Sequence, residues 1–442
     1  MPMNMLSNRI LALYRLFRHP YMKREQITQF QNRQLRLIIH YAYHNVPYYR
    51  RLFKKANLRP QDINTTEDLD AIPITSKKDL QTIPAEDFLS TGMDSKNLIV
   101  RRTGGSTGEP TVIRRSWFEE ILLQAFQHRA LHYYGRRFKD HSVKVLAISD
   151  QKNHTNKSVR FIQQFIKKYG FLNVSFVDCR LPVEDIISKI KNLNPDTLGG
   201  YPGAIHYISR SLSEDDKEVI RPRILTVGGE VLTPLMRQQI SDSFGAPVYS
   251  VYNSNEFYNI SWECKETGQF HVCDDSLIME VLKDNRQAKE GETGEVVGTC
   301  LHSFAMPLIR FRLGDVVTKG APTCQCGLPF STISQIQGRM TDHFLLPNGQ
   351  LLHPWVLLDG VYTASWIRQY RLIQERVDRI VLNVVPLKNA PEQELKSIED
   401  IARKTLGDSV EFKIKFVPEI PFEPNGKFRV SKSLVDHNPF SK

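Results

Sequence analysis

Short apolar runs alternate with segments of helical length between residues 143 and 230, and two of the runs end in glycine-bearing turns. The pattern reads as strand at 143–149, helix at 158–169, strand at 174–177 and helix at 183–192. A further strand ends in Thr197-Leu198-Gly199-Gly200-Tyr201-Pro202, and one at 224–227 runs into Gly228-Gly229-Glu230 before another helix. Parallel strands need a crossover, so this rhythm predicts an α/β fold with a mainly parallel sheet covered by helices. In such sheets ligands bind beyond the carboxyl ends of the strands, where these turns lie.

A chain of 442 residues exceeds one ordinary core. From residue 248 the pattern changes to short strands separated by Gly, Asp and Pro, which predicts a β subdomain over 248–336. Beyond Gly338, a strand at 380–385, a helix at 392–406 and a strand at 410–417 predict a small α+β unit. The expected division is a large N-terminal domain, 1–338, and a small C-terminal domain, 339–442.

The net charge of +11 is concentrated. Residues 1–60 hold 12 Lys/Arg against one acid, Glu25, so the remainder is neutral. This segment reads as helical over 5–58, with breaks at His19-Pro20 and Asn45-Val46-Pro47. Met5, Leu6, Ile10, Leu13, Tyr14 and Phe17 fall on one stripe, which suits peripheral docking on an anionic membrane surface or an acidic partner. The plainer alternative is a helix packed on its own domain with a solvated basic face. No nucleic-acid-reading motif accompanies the charge. No apolar run approaches the roughly 18 residues of a membrane span, and no signal peptide is evident, so a cytoplasmic protein is expected.

Thr103-Gly104-Gly105-Ser106-Thr107-Gly108-Glu109-Pro110-Thr111 lies between two extended basic runs and has the chemistry of a phosphate loop. Glycine lets the backbone approach a ligand, while hydroxyls and N–H groups donate to phosphate oxygens. A P-loop ends in Gly-Lys-Ser/Thr, whereas Gly108 precedes Glu109-Pro110, so a kinase-type or GTPase-type reading is poor, and a Ser/Gly surface loop is the plain alternative.

Taken in order, these turns resemble the motifs of adenylate-forming ligases of the phenylacetate-coenzyme A ligase type, and more narrowly a branch found among capsular polysaccharide biosynthesis proteins. The resemblance begins at Tyr41-Ala42-Tyr43-His44-Asn45-Val46-Pro47-Tyr48-Tyr49-Arg50 and Ile72-Pro73-Ile74-Thr75-Ser76-Lys77 and extends over nearly the whole chain. It implies that Thr103, Gly105, Ser106, Thr107 and Gly108 hold the ATP phosphates and that Gly228, Gly229 and Glu230 lie against the adenine. In Tyr252-Asn253-Ser254-Asn255-Glu256 it implies that Tyr252 stacks near the base and Glu256 holds magnesium. Here Asn253 and Asn255 stand where the family has Gly and Thr/Ser. In Pro307-Leu308-Ile309-Arg310-Phe311-Arg312-Leu313-Gly314-Asp315 it implies that Asp315 accepts hydrogen bonds from the ribose. Gly338-Arg339-Met340-Thr341-Asp342 would place Arg339 at the domain hinge, and Lys427 in Pro424-Asn425-Gly426-Lys427 matches the adenylation lysine. Tyr201-Pro202-Gly203 and the Gly228-Gly229 turn would line the acyl pocket.

Six cysteines in so long a chain do not make a disulfide scaffold. Cys264, His271, Cys324 and Cys326 have the composition of a Cys3His structural zinc site that would pin the β subdomain, as in some relatives of this type. Unrelated reduced cysteines are the alternative. The resemblance as a whole implies ATP-dependent activation of a small carboxylic acid, with a mobile C-terminal lid and transfer to coenzyme A. An amine or hydroxyl on a sugar or carrier is a second candidate acceptor, and a non-catalytic protein that binds nucleotide or acyl groups is the rival of another class.

Overall fold

The computed structural model describes residues 16–102, 111–137, 139–147, 173–339, 343–358, 361, 364, 366–423 and 428–435. The stripe residues Met5, Leu6, Ile10, Leu13 and Tyr14, the loop at 103–110, the helix expected at 158–169, residues 340–342 and Lys427 lie outside them. Two compact units emerge, one from the described parts of 1–138 and 249–336, the other from those of 139–150, 173–248 and 337–442.

In the first unit, helix Arg24–Asn45 buries Ile27, Gln31, Leu35, Ile38, Ile39 and Ala42 at helical spacing. Arg33 and Arg36 on this helix, and Arg50, Arg51, Lys54 and Lys55 on the next, are exposed, so the basic side faces solvent. Pro47 begins helix Pro47–Lys55, where the missing N–H costs nothing. The expected β subdomain is an antiparallel array. Its strands run in the order Arg286–Gln287, Leu277–Lys283, Thr293–Cys300, Phe311–Lys319, Thr332–Arg339, Phe270–Val272, Tyr258–Glu263 and Val248–Ser254. Helix Trp117–Tyr133 starts at a Ser116/Glu119 capping box. The Glu119 carboxylate also accepts the amides of Phe304 and Ala305 at 2.6 and 2.9 Å, fixing the approach to the motif at 307–315.

The second unit contains the predicted parallel strands, in the order Val174–Asp178, Ser142–Leu146, Thr197–Gly200 and Ile224–Gly228. Helices Val183–Leu193, Pro202–Ser211 and Pro234–Phe244 supply Ile187, Ile190, Ile205, Ile208 and Ile240 to a core with Val143, Val145, Leu198 and Leu225. The Gly199-Gly200 pair is required by close approach: a Cβ at Gly200 would lie 2.5 Å from the Val145 carbonyl oxygen, and one at Gly199 2.8 Å from that of Thr226. A second sheet in this unit joins Glu411–Phe416, Arg379–Pro386, Ile367–Arg376 and Ser431–Ser433, with helix Glu392–Leu406 contributing Ile398, Ala402 and Leu406 to its core. The fold is thus a large mixed-sheet α/β domain with a small C-terminal α+β domain.

Candidate active site

The two basic runs flanking the hydroxyl-rich loop are strands, Ile99–Arg102 and Val112–Arg115, paired antiparallel with Arg102 opposite Val112. Asn255, which replaces the family's Thr/Ser, donates its side-chain amide to the Arg102 carbonyl at 3.2 Å. The turn that carries Glu256 is therefore tied to the strand entering the loop. Arg115 is fully buried, donates to the carbonyls of Asn255 and Glu256, and stacks 5.0 Å over the Tyr258 ring. Glu256, on the same turn, is 5 % exposed.

Tyr252 and Asp315, from motifs 63 residues apart, meet in a 2.7 Å hydrogen bond from the phenol to the carboxylate. The strand bearing Asp315 is braced from the N-terminal motifs. The Tyr49 hydroxyl donates to the Pro307 carbonyl at 3.0 Å and accepts the Ile309 amide at 2.9 Å. Thr75 pairs with the same stretch through Thr75 N–H to Arg310 O at 2.9 Å and Arg312 N–H to Thr75 O at 2.8 Å. Arg310 makes a buried ion pair with Glu280 and donates to the Asp70 and Ile72 carbonyls, so it is a structural clamp. Beside Asp315, burial pushes the Glu295 carboxyl up to about 7 against the pull of Arg312, 3.0 Å away, and the charge of Asp315 adds to the rise.

Within the second unit the Glu230 carboxylate accepts the Gly203 amide at 3.0 Å and the Phe428 amide at 2.7 Å. Tyr201 precedes Pro202 at the start of its helix, and burial, with the Glu230 charge adding to it, raises its phenol to about 12. Gly229 has φ 83° at the strand end. Arg339 closes strand Thr332–Arg339, and its carbonyl lies 3.1 Å from His343 Nδ1.

Ligand atoms of Cys264, His271, Cys324 and Cys326 all lie within 4.8 Å of one another. Cys264 Sγ is 3.9 Å from Cys324 Sγ, and Cys326 Sγ is 3.4 Å from His271 Nε2. Bond lengths of about 2.3 Å to sulfur and 2.0 Å to nitrogen give tetrahedral edges of about 3.5–3.8 Å, close to these separations. Burial opposes ionisation of Cys264, but hydrogen bonds from Thr267, the Glu266 backbone and Tyr133 prevail and bring the thiol down to about 7. Burial, aided by the charge of Arg129, pushes His271 down to about 4, which leaves the imidazole neutral and able to ligate.

The sequence motifs gave no sign of Arg115, of the Tyr49 bridge or of Phe428 as a partner of Glu230. Arg115 alternates with Arg114 in a basic run, and only the register of the hairpin decides which of them is buried against Glu256.

Residues 344–433 match the CapK C-terminal domain. Protein CapK of Staphylococcus aureus is 24% identical over 420 residues, covering 91% of this chain and 88% of that protein. The phenylacetate-coenzyme A ligase of Thermus thermophilus is 25% identical over 354 residues, 75% of this chain and 74% of that one. Among solved structures, 2-hydroxyisobutyryl-CoA ligase in the postadenylation state, in complex with R3-HIB-AMP, superposes with a TM-score of 0.77 at 19% identity over 95% of this chain and 91% of that one. The fold is that of the adenylate-forming ligases. Over most of its length the chain is similar to CapK and to phenylacetate-coenzyme A ligases, and its C-terminal part matches the CapK family model.

Proposed function

We propose that this protein activates a small carboxylic acid with ATP and passes the acyl group to coenzyme A. The observation that carries the reading is the Tyr252–Asp315 hydrogen bond, which unites two motifs whose family roles are at the base and the ribose. In the first half-reaction a carboxylate oxygen attacks the α-phosphorus of ATP, the bond to the bridging oxygen breaks, and pyrophosphate leaves. In the second, the thiol adds to the acyl carbonyl, loses its proton and expels AMP.

Asp315, oriented by Tyr252, accepts the ribose hydroxyls, as a carboxylate can. Gly228 and Gly229 lie beside the adenine, Thr103 to Gly108 cradle the outer phosphates, and Tyr201 and Pro202 border the acyl group. The buried Glu256 carboxylate, a hard oxygen donor, would hold magnesium, which supplies neutralising charge across the phosphates. Lys427 bridges the acyl oxygen and the α-phosphate, and the small domain, hinged near Arg339, carries it in for adenylation and away for transfer. Transfer to an amine or hydroxyl of a sugar or carrier is the second reading, left open by the resemblance to capsular polysaccharide biosynthesis proteins. The test is a panel of carboxylic acids assayed for pyrophosphate release with and without coenzyme A. Acid-dependent release is expected, and release driven by no acid would remove the enzymatic reading in favour of a binding protein.

The cysteine-histidine cluster fits a structural zinc, since four protein ligands leave no open position. Atomic emission on purified protein should find about one zinc per chain, lost in Cys324→Ser. Zinc-free protein that keeps its fold would refute the assignment.

A further inference from the structure

The described residues on either side of 424–427, Pro421 and Phe422 before and Phe428 to Val430 after, are gripped from two directions, both within the second unit. Arg371, on strand Ile367–Arg376, donates to the Arg429 carbonyl at 2.9 Å and the Pro421 carbonyl at 2.8 Å, and its guanidinium stacks 5.2 Å over the Phe428 ring. Phe422 packs against Phe428 at 5.3 Å, and the Leu372 amide bonds to the Val430 carbonyl at 2.9 Å. These partners all belong to the small C-terminal domain. Glu230 does not: it follows the parallel strand Ile224–Gly228, and its carboxylate accepts the Phe428 amide with one oxygen and the Gly203 amide with the other.

Gly203 completes the seat. A Cβ at that position would lie 3.0 Å from Phe428 Cβ and 3.0 Å from Glu230 Oε2, so the backbone of the helix Pro202–Ser211 must be bare for Phe428 to reach the carboxylate. The cavity left between Gly203, His206, Met236 and Phe428 is only about 20 Å³, room for a single water.

We infer that Glu230 is a positioning residue, a releasable latch that holds the lysine-bearing segment on the parallel sheet for adenylation and lets go before transfer. The inference rests on the two-step reading above. A carboxylate with two backbone donors is a strong but switchable contact, because each freed amide and the freed carboxylate can turn to water once the lid leaves. The contact also explains why the carboxylate sits at the end of the Gly228-Gly229 turn. There it reports the position of the lid from within the same turn that borders the nucleotide in the proposed site.

The test uses the full-length protein and two variants. Glu230→Gln puts an NH2 group against one of the two amides, and Gly203→Ala intrudes on Phe428 without touching charge. Hydrogen–deuterium exchange at the Phe428 amide should quicken about 10- to 100-fold in both, the loss expected for a charge-assisted bond. The ratio of acid-dependent ATP–pyrophosphate exchange to thioester formation from supplied acyl-adenylate should fall about 10-fold or more. Unaltered Phe428 exchange in both variants, or equal decline of the two half-reactions, would overturn the latch. If the wild-type protein exchanges pyrophosphate with no acid, the two-step reading fails. In that case the Phe428 amide alone decides: quickened exchange keeps the contact as a holding device, and unchanged exchange ends it.

Discussion

Alanine in place of Lys427 is expected to lower acid-dependent ATP–pyrophosphate exchange by about 10²- to 10³-fold, while thioester formation from a supplied acyl-adenylate continues. The asymmetry follows from the charges each step brings together. Adenylation joins a carboxylate to a triphosphate, and negative charge accumulates on the non-bridging oxygens of the α-phosphate as the fifth bond forms. A fixed cation there stabilises the transition state more than the ground state, which is the condition for raising a rate. Transfer joins a thiol to a mixed anhydride whose leaving group is AMP, and in the proposed cycle the lysine is withdrawn with the lid before that step and has no part in it. Measuring the two half-reactions separately on one preparation decides the matter. Surviving exchange would show that another cation carries adenylation, and the buried Arg115 behind the Glu256 turn would be the first to examine.

Elements whose determinants are local were legible in the sequence. The helix at Glu392–Leu406 and the strands at Val174–Asp178 and Ile224–Gly228 fall within a residue or so of where periodicity and glycine turns put them. The cysteine-histidine cluster was also readable, because a Cys-x-Cys-Gly turn restricts two ligands at once. What escaped were partners set by tertiary register. Asn255 looks like a defect in the metal-binding motif when the motif is read alone. In the fold, its amide reaches the Arg102 carbonyl, 153 residues away, and links the hairpin turn to the strand that enters the glycine- and hydroxyl-rich stretch. Arg310 reads as part of a nucleotide motif, yet its guanidinium is spent on Glu280 and two carbonyls of the N-terminal segment. Nor could spacing have paired Glu230 with Phe428, 198 residues apart. Motif order proposed a site, but the contacts that its charged side chains make needed the fold.

Arg129→Met is expected to cost about 3–5 kcal/mol of stability, the largest effect of any substitution outside the proposed reaction centre. Arg129 is 4 % exposed and makes a two-pronged pair with the fully buried Asp275, at 2.5 and 3.0 Å, while its guanidinium lies 4.8 Å over Trp262 and 4.9 Å over Phe330. His19 bonds the same carboxylate at 2.6 Å, and His302 Nε2 lies 2.8 Å from the Asp275 carbonyl oxygen, so the pair is the knot between the N-terminal segment, helix Trp117–Tyr133 and the β array. Methionine fills much of the space but leaves Asp275 buried with its main counter-charge gone. Burial alone would push the Asp275 carboxyl up, yet Arg129 and His19 outweigh it and hold the group well below the ordinary carboxylate range. A depressed folded pKa stabilises above the unfolded value, so this contribution is complete above about pH 4 and fades only as acid titrates the folded group. Urea unfolding at pH 7 should therefore show the full loss in Arg129→Met. Adding Asp275→Asn should recover part of it, because the penalty is chiefly the stranded charge. If the double variant is as unstable as the sum of the two single ones, the aromatic faces around Arg129 contribute the stability and the ion pair does not.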